Sequence, residues 1–395
     1  MKRYRYFIIP IVCMGILISS FNNVITRRYE DKSIDKNLEP IKHTYDHILR
    51  DRGGVLKDSM FNEDDLILLG SSELSSPVDQ NPINVFPFKE ANYDVSIFGR
   101  AYTQSLQHAT MLSSTDNIKS DSKVALIVSL QWFTQGAGIT GDNFSVNFSE
   151  HQFYKMFNND KISDETKMDY AKRINQLLKE SGEYGEEQIY AYLYSQDNLL
   201  SNIALTLLKP YYKFKAYTLE IKDKTQSYKE LEKLPDKVAA NPKEFNWEEE
   251  YAKAEKEGAA KVTNNDINVE DSYYDLYLRE KYSEFKDELV GVDLMASREF
   301  KDYELFLDTS KDLGVKPLII LMPVNGLYYN HLGITEEKRD EFYNKLQELA
   351  EERGFSVVNL QDKEYEKYYL TDVMHLGWKG WLKVNEEIYK YFSER

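Results

Sequence analysis

Five short aliphatic runs, separated by amphipathic stretches, limit what this chain can fold into more than any other feature. They are "LILLG" (66–70), "YDVSIFG" (93–99), "KVALIVSL" (123–130), "KPLIILMPV" (316–324) and "FSVVNL" (355–360). A strand with one wet face alternates apolar and polar residues. Near-continuous Val, Ile and Leu instead means burial on both faces, as in a parallel sheet covered by helices. Helical patterns lie between the runs, at 101–114, 297–314 and 335–354, and the last two end on a glycine, a common helix stop. This alternation predicts an α/β fold: a doubly wound, mainly parallel five-stranded sheet with right-handed crossovers.

The third and fourth runs are separated by about residues 135–296, a stretch that is helical in pattern and rich in charge. Within it, "WEEEYAKAEKEGAAK" (247–261) reads as a solvated helix. The expectation is one α/β domain over 65–395 with a helical insertion at the strand ends, where such sheets bind ligands. A chain of 395 residues with 42% hydrophobic content has room for that core.

The amino terminus carries an address. "MKRYR" precedes "YFIIPIVCMGILISSF" (6–21), which holds no charge and continues through Asn22, Asn23, Val24 and Ile25 before Arg27 and Arg28. Twenty such residues are enough to cross ~30 Å of hydrocarbon. A cleaved signal peptide is the alternative, but Ser19, Ser20 and Phe21 make a poor cleavage site. Residues 1–28 are therefore read as a transmembrane anchor and the polar residues 29–64 as a juxtamembrane stalk with a short helix near 43–56. A large domain after a single amino-terminal span is expected outside a cell membrane. The only cysteine, Cys13, lies in that span, so the domain has neither disulfide nor thiol nucleophile, which fits a Gram-positive surface. A net charge of −16 argues against a nucleic-acid partner. The six histidines are scattered, and neither a metal site nor another cofactor is expected.

Residues 65–76, "DLILLGSSELSS", end a buried run on Gly70 and follow it with Ser71 and Ser72. At the carboxyl end of a first strand this is either a nucleophile or a turn with a helix cap. The carboxyl-terminal "YYLTDVMHLGWKGWLKVNEEIYKYF" places Asp372 and His375 three apart, just before a closing helix. Together the two segments supply a serine, a base to take its proton and an acid to hold the base's tautomer.

"LLGSSEL" resembles the nucleophile block of the SGNH hydrolase family, with Ser72 in the nucleophile's place, and the Asp372–His375 spacing resembles that family's last block. "GSSEL", "DVMHLGWKGW", the anchor, the insertion and the length together resemble the DltD family of D-alanyl-lipoteichoic acid biosynthesis, over essentially the whole chain. That resemblance implies an outward-facing serine acyltransferase or esterase carrying D-alanyl groups to lipoteichoic acid. Its implied partners are a membrane-bound D-alanyl acyltransferase and the D-alanyl carrier protein. It also implies an oxyanion hole from the backbone N–H of Ser72 or Glu73, that of Gly99, and the Gln131 side chain. Asn325 and Trp378 are candidates for lining the substrate site, and Arg100 and Lys379 for meeting polymer phosphates. Two blocks depart from the SGNH pattern. Ser71 stands where an aspartate is expected, and Gln131–Trp132 where Gly-x-Asn-Asp is expected. Gln131 is either an oxyanion donor or a polar strand end, and Asn325 either lines the acceptor side or caps a loop. A thioesterase or O-deacylase, and a non-catalytic assembly factor, are the competing readings.

Overall fold

The computed structural model describes residues 2–393 apart from 62–63, 92 and 238–241. All five predicted strands form: β1 (Leu66–Leu69), β2 (Val95–Phe98), β3 (Lys123–Val128), β4 (Leu318–Leu321) and β5 (Val357–Asn359). They pair in parallel, in the order β2-β1-β3-β4-β5. The labelled helices are α1 (Lys2–Asp35), α2 (Ser105–Ser113), α3 (Gly141–Asn147), α4 (Glu150–Asn158), α5 (Asp164–Ser181), α6 (Gly185–Ser195), α7 (Leu199–Leu231), α8 (Trp247–Lys261), α9 (Glu299–Leu313), α10 (Glu336–Glu351) and α11 (Trp378–Ser393).

The period-two geometry of a strand sorts the apolar runs between two faces. Ile67, Leu69, Leu126 and Ile319 pack with Leu112 of α2, Phe306 of α9 and Phe342 of α10. Leu66, Leu68, Ile127 and Ile320 pack on the other side with Trp381 and Ile388 of α11. Both faces are therefore dry, which is why the runs are apolar throughout. The exception is β5, an edge strand whose three residues are half-buried, whereas the other edge strand, β2, is buried throughout. Helix α9 stops at Gly314 (φ 72°), as the sequence predicts. Helix α10 stops earlier, at Glu351, and Gly354 (φ 79°) follows in a turn.

Helices α3 to α8 lie between β3 and β4. Helix α8 is not simply solvated. It packs on α11, with Ala254 and Gly258 buried. A Cβ on Gly258 would lie 2.5 Å from the Tyr368 side chain, so this contact requires glycine.

Helix α1 is long and apolar enough to cross a membrane. It runs past the expected limit at 28 to Asp35, with Ile25 and Tyr29 buried against the domain. The segment after it is not set off as a stalk. Ile41, Leu56, Met60 and Phe61 join the core, and the charges among them are buried too. The Arg50 guanidinium is fully buried. It donates to the carbonyls of Ile41 (2.8 Å), Lys42 (3.2 Å) and Thr44 (2.7 Å) and to both oxygens of Asp51 (2.7 and 3.1 Å). Replacing Arg50 by alanine strands a buried carboxylate and three carbonyls. The expected loss is about 3–5 kcal/mol of unfolding free energy in urea titration. A stalk residue would change it by no more than about 0.5 kcal/mol.

Candidate active site

Where β1 ends, the Gly70 N–H donates to the Phe98 carbonyl at 3.0 Å, extending the ladder one residue beyond the strand. The Ser71 N–H then donates to Glu73 Oε1 (2.6 Å), and the Ser71 hydroxyl donates to the Arg100 carbonyl (3.2 Å). Both bonds turn Ser71 inward. Ser72 opens a single 3-10 turn, Ser72–Ser75, and stays half-exposed. Its Oγ lies 2.9 Å from His375 Nε2, and His375 Nδ1 lies 2.7 Å from Asp372 Oδ2. Asp372 Oδ1 accepts the N–H groups of Met374 and His375, each at 2.8 Å. An ionised carboxylate only accepts, so Nδ1 carries the proton and Nε2 is left to accept from the serine. Burial pulls the imidazole pKa down. The Asp372 hydrogen bond and charge, with a smaller push from Glu73, outweigh it, and the net displacement is upward.

The loop bearing His375 is held from several sides. Thr371 N–H donates to the His375 carbonyl (3.0 Å) and Gly377 N–H to the Tyr369 carbonyl (2.8 Å). Asn325 N–H donates to the Val373 carbonyl (3.0 Å), and the Ser76 hydroxyl to the Leu376 carbonyl (3.1 Å). Val373 is buried with Ile267, Val269 and Leu278, and Glu270 N–H donates to the Thr371 carbonyl (2.7 Å). Residues 267–278 thus buttress the histidine loop.

Gln131 sits in the 3-10 turn after β3 and lines a cleft of about 290 Å³ together with Ser71, Ser72, Tyr102, Gln104 and Asn143. Among the described residues, every side chain lining this cleft is uncharged. Gly99, at φ 150°, approaches Gly70 so closely that a Cβ would sit 1.9 Å from the Gly70 carbonyl oxygen. Only glycine fits there, and its backbone lies directly beneath the serine turn.

Other expectations require correction. Asn325 does not line the cleft. Its Oδ1 caps the short helix Gly326–Leu332 by accepting from Tyr328 N–H (2.9 Å), and its Nδ2 donates to the Ile267 carbonyl (2.7 Å). Trp378 is buried in the core on the α11 face of the sheet, because the first turn of that helix must cover the strands. Arg100 pairs with Asp46 (2.7 Å), and Lys379 with Glu255 (3.1 Å) and Glu366 (2.7 Å). Both charges are therefore engaged by carboxylates of this chain.

Two residues at the site escaped the sequence reading. The Glu73 side chain, considered above only for its backbone, is fully buried. Burial pushes its carboxyl pKa up, against the Ser71 N–H and the His375 charge. His108 is buried beneath the turn, where burial lowers its imidazole to about 4, and its Nε2 lies 2.9 Å from the Gly70 carbonyl. At that pKa it is a neutral donor. Its position within the apolar face of "SLQHATM" was the available signal.

Comparison with known proteins agrees across the chain. The family model described as DltD protein matches residues 47–393. Protein DltD of Staphylococcus aureus (strain NCTC 8325 / PS 47) is 28% identical over 397 residues, covering 98% of this chain and 95% of that protein. Protein DltD of Bacillus subtilis (strain 168) is 28% identical over 343 residues, covering 87% and 86%. Protein DltD of Lacticaseibacillus rhamnosus is 22% identical over 360 residues, covering 85% and 79%.

The geometry fixes how His375 titrates. Its imidazole is expected to lose its proton above the usual 6.5, followed by nitrogen NMR of the labelled ring. Asp372→Asn removes the upward contribution that outweighs burial, so the titration moves to lower pH. Because the folded value is the raised one, the stability from this pair is full below pH 6.5 and is lost as pH climbs through the folded value. A midpoint unchanged in Asp372→Asn would contradict the assignment.

Proposed function

The chain belongs to the DltD family, and we propose that it is a membrane-anchored, outward-facing acyltransferase of teichoic acid D-alanylation. The D-alanyl group passes through an ester on Ser72 to glycerol hydroxyls of lipoteichoic acid. The observation that carries this reading is the hydrogen-bonded series Ser72–His375–Asp372, opening on an uncharged, amide-lined cleft.

In the first half-reaction Ser72 Oγ attacks the carbonyl carbon of an activated D-alanyl ester or thioester, and His375 Nε2 takes the hydroxyl proton. The leaving alcohol or thiol recovers that proton as the tetrahedral intermediate collapses. In the second half, a glycerol hydroxyl gives its proton to His375 and attacks the alanyl ester, and Ser72 leaves with the proton. Asp372 keeps Nδ1–H in place and stabilises the transient imidazolium. The oxyanion is met by the backbone N–H of Ser72 or Glu73, that of Gly99 and the Gln131 amide, and removing one such donor costs roughly 3 kcal/mol of transition-state stabilisation. The absence of charge among the described cleft residues matters for a polyanionic acceptor. Repulsion from the −16 net charge acts at the outer surface, where salt screens it within about 8 Å.

Transfer of labelled D-alanine to lipoteichoic acid, reconstituted with the membrane-bound acyltransferase and the carrier protein, tests the proposal. Ser72→Ala should abolish transfer with thermal unfolding nearly unchanged, and Ser71→Ala should retain it. His375→Ala should be nearly as damaging as Ser72→Ala, with the double variant no worse than either single one, because the groups act as a unit. Asp372→Asn should be milder. Label released as free D-alanine by the wild type would make the protein a hydrolase. Full polymer D-alanylation in Ser72→Ala, His375→Ala and Asp372→Asn alike would make it an assembly factor.

A further inference from the structure

Helix α7 presents an unusual surface for a helix outside the predicted span. Leu199, Leu200, Ile203, Leu207, Tyr211 and Phe214 are each between 47% and 79% exposed. In a soluble helix such residues face the core, and a contiguous exposed set marks a contact surface. The carboxyl half of the same helix behaves ordinarily, with Asp223, Ser227 and Leu231 buried.

The neighbour of α7 indicates what covers this surface. Helices α1 and α7 pack side by side and run in the same direction. At their carboxyl ends Lys36 pairs with Asp236 (2.7 Å), and Lys237 N–H donates to the Asp35 carbonyl (2.7 Å). Further toward their amino ends, Thr26 and Tyr29 share a cavity with Glu220 and Lys224. The contact stripe on α1 continues to Asn22 and Ile18, both half-buried, inside the apolar stretch. Following both helices toward their amino ends therefore leads α1 into its membrane-spanning part, and leads the exposed residues of α7 toward the same side of the molecule.

The sequence of that half-helix fits the place. "LLSNIALTLL" (199–208) is uncharged, and "KPYYKFK" (209–215) then alternates lysines with aromatic residues. Exposed Lys209 and Lys213 beside Tyr211 and Phe214 have the pattern of a water–lipid boundary, whereas Tyr212 is buried and Lys215 is paired with Glu150, Glu186 and Glu187 of the domain. Ten uncharged residues are too few to cross ~30 Å. Asp197 just before them is exposed, which keeps that end at headgroup level.

We propose that the amino half of α7 is a second membrane contact, lying in the outer leaflet beside the span, with phospholipid as its occupant. This rests on α1 being a membrane span. Together the two contacts would fix the height and tilt of the domain above the bilayer, where one helix alone leaves it free to swivel.

The test uses the full-length protein with Cys13→Ser and single cysteines at Leu200→Cys, Leu207→Cys, Lys222→Cys or Ile16→Cys. Each carries an environment-sensitive fluorophore, in vesicles of phosphatidylglycerol and phosphatidylethanolamine. Labels at 200 and 207 should lose most of their emission to lipids spin-labelled on the acyl chain and resist iodide, while the label at 222 shows the reverse. Iodide quenching at 200 and 207, with the label at 16 quenched by lipid, overturns this proposal and leaves the anchor intact. A label at 16 open to iodide overturns both. Labels at 200 and 207 shielded from iodide and lipid alike would mean that protein covers the surface, and the lipid assignment falls.

Discussion

Strand β1 pairs in parallel with β2 on one side and β3 on the other, and the site depends on this reversal of strand order. The register sets Leu69 beside Phe98 and Leu126, so the chain leaves β1 close to where it leaves both neighbours. Connections diverge from such a point, and the crevice between them is where open α/β sheets hold ligands. Gly70, Gly99 and the turn carrying Gln131 all meet there, although separate runs of sequence supply them. The Gly70–Gly99 approach is tolerable only without side chains, which lets the two backbones close together beneath Ser72.

Two of the three members of the hydrogen-bonded series come from the other end of the chain, since Ser72 and His375 are 303 residues apart. Bringing them together requires that α11 cover the sheet face, which fixes the loop before it. Trp378 belongs to that task, as its burial shows. Asn325 also acts at one remove from the cleft: it caps its own helix while its N–H holds the Val373 carbonyl. The 267–278 segment adds the apolar contact around Val373. Placement of the base is thus a property of the whole fold.

Much of this was legible in the sequence because it is written locally. Apolar runs without alternation state that both faces of a strand are covered, and Ser72, Asp372 and His375 stand beside those runs with the residue types that acyl transfer uses. What was not legible depended on distant partners. Arg50, Asp51 and Lys57 read as a solvated stalk by composition, yet Arg50 donates to three carbonyls and to Asp51, and Lys57 is taken up by a distant part of the fold. Lys57 Nζ, for example, donates to the Met111 carbonyl and to Ser114 Oγ, each at 2.6 Å. Arg100 and Lys379 seemed available to a polyanion because nothing local reveals Asp46, Glu255 or Glu366 against them. Position along a sheet edge likewise gives no side-chain direction, and so Asn325 and Trp378 were placed in the cleft wrongly.

Glu73 shows how these constraints meet in one group. Its carboxyl is fully buried, one oxygen accepting the Ser71 N–H and the other without a hydrogen-bond partner among the described residues. Burying a charge in this way costs several kcal/mol unless something offsets it. The Ser71 bond fixes the peptide immediately before Ser72, and the carboxylate charge acts on His375 in the same sense as Asp372. A second negative charge near the imidazole would favour the imidazolium that the proposed proton transfer from Ser72 requires. The same charge makes the resting histidine easier to protonate, and a protonated imidazole is no longer a base. Asp372 is the larger of the two upward influences on the imidazole and Glu73 the smaller, so under the proposed acyl transfer both would ease the serine's loss of its proton while raising the pH below which the histidine cannot accept it.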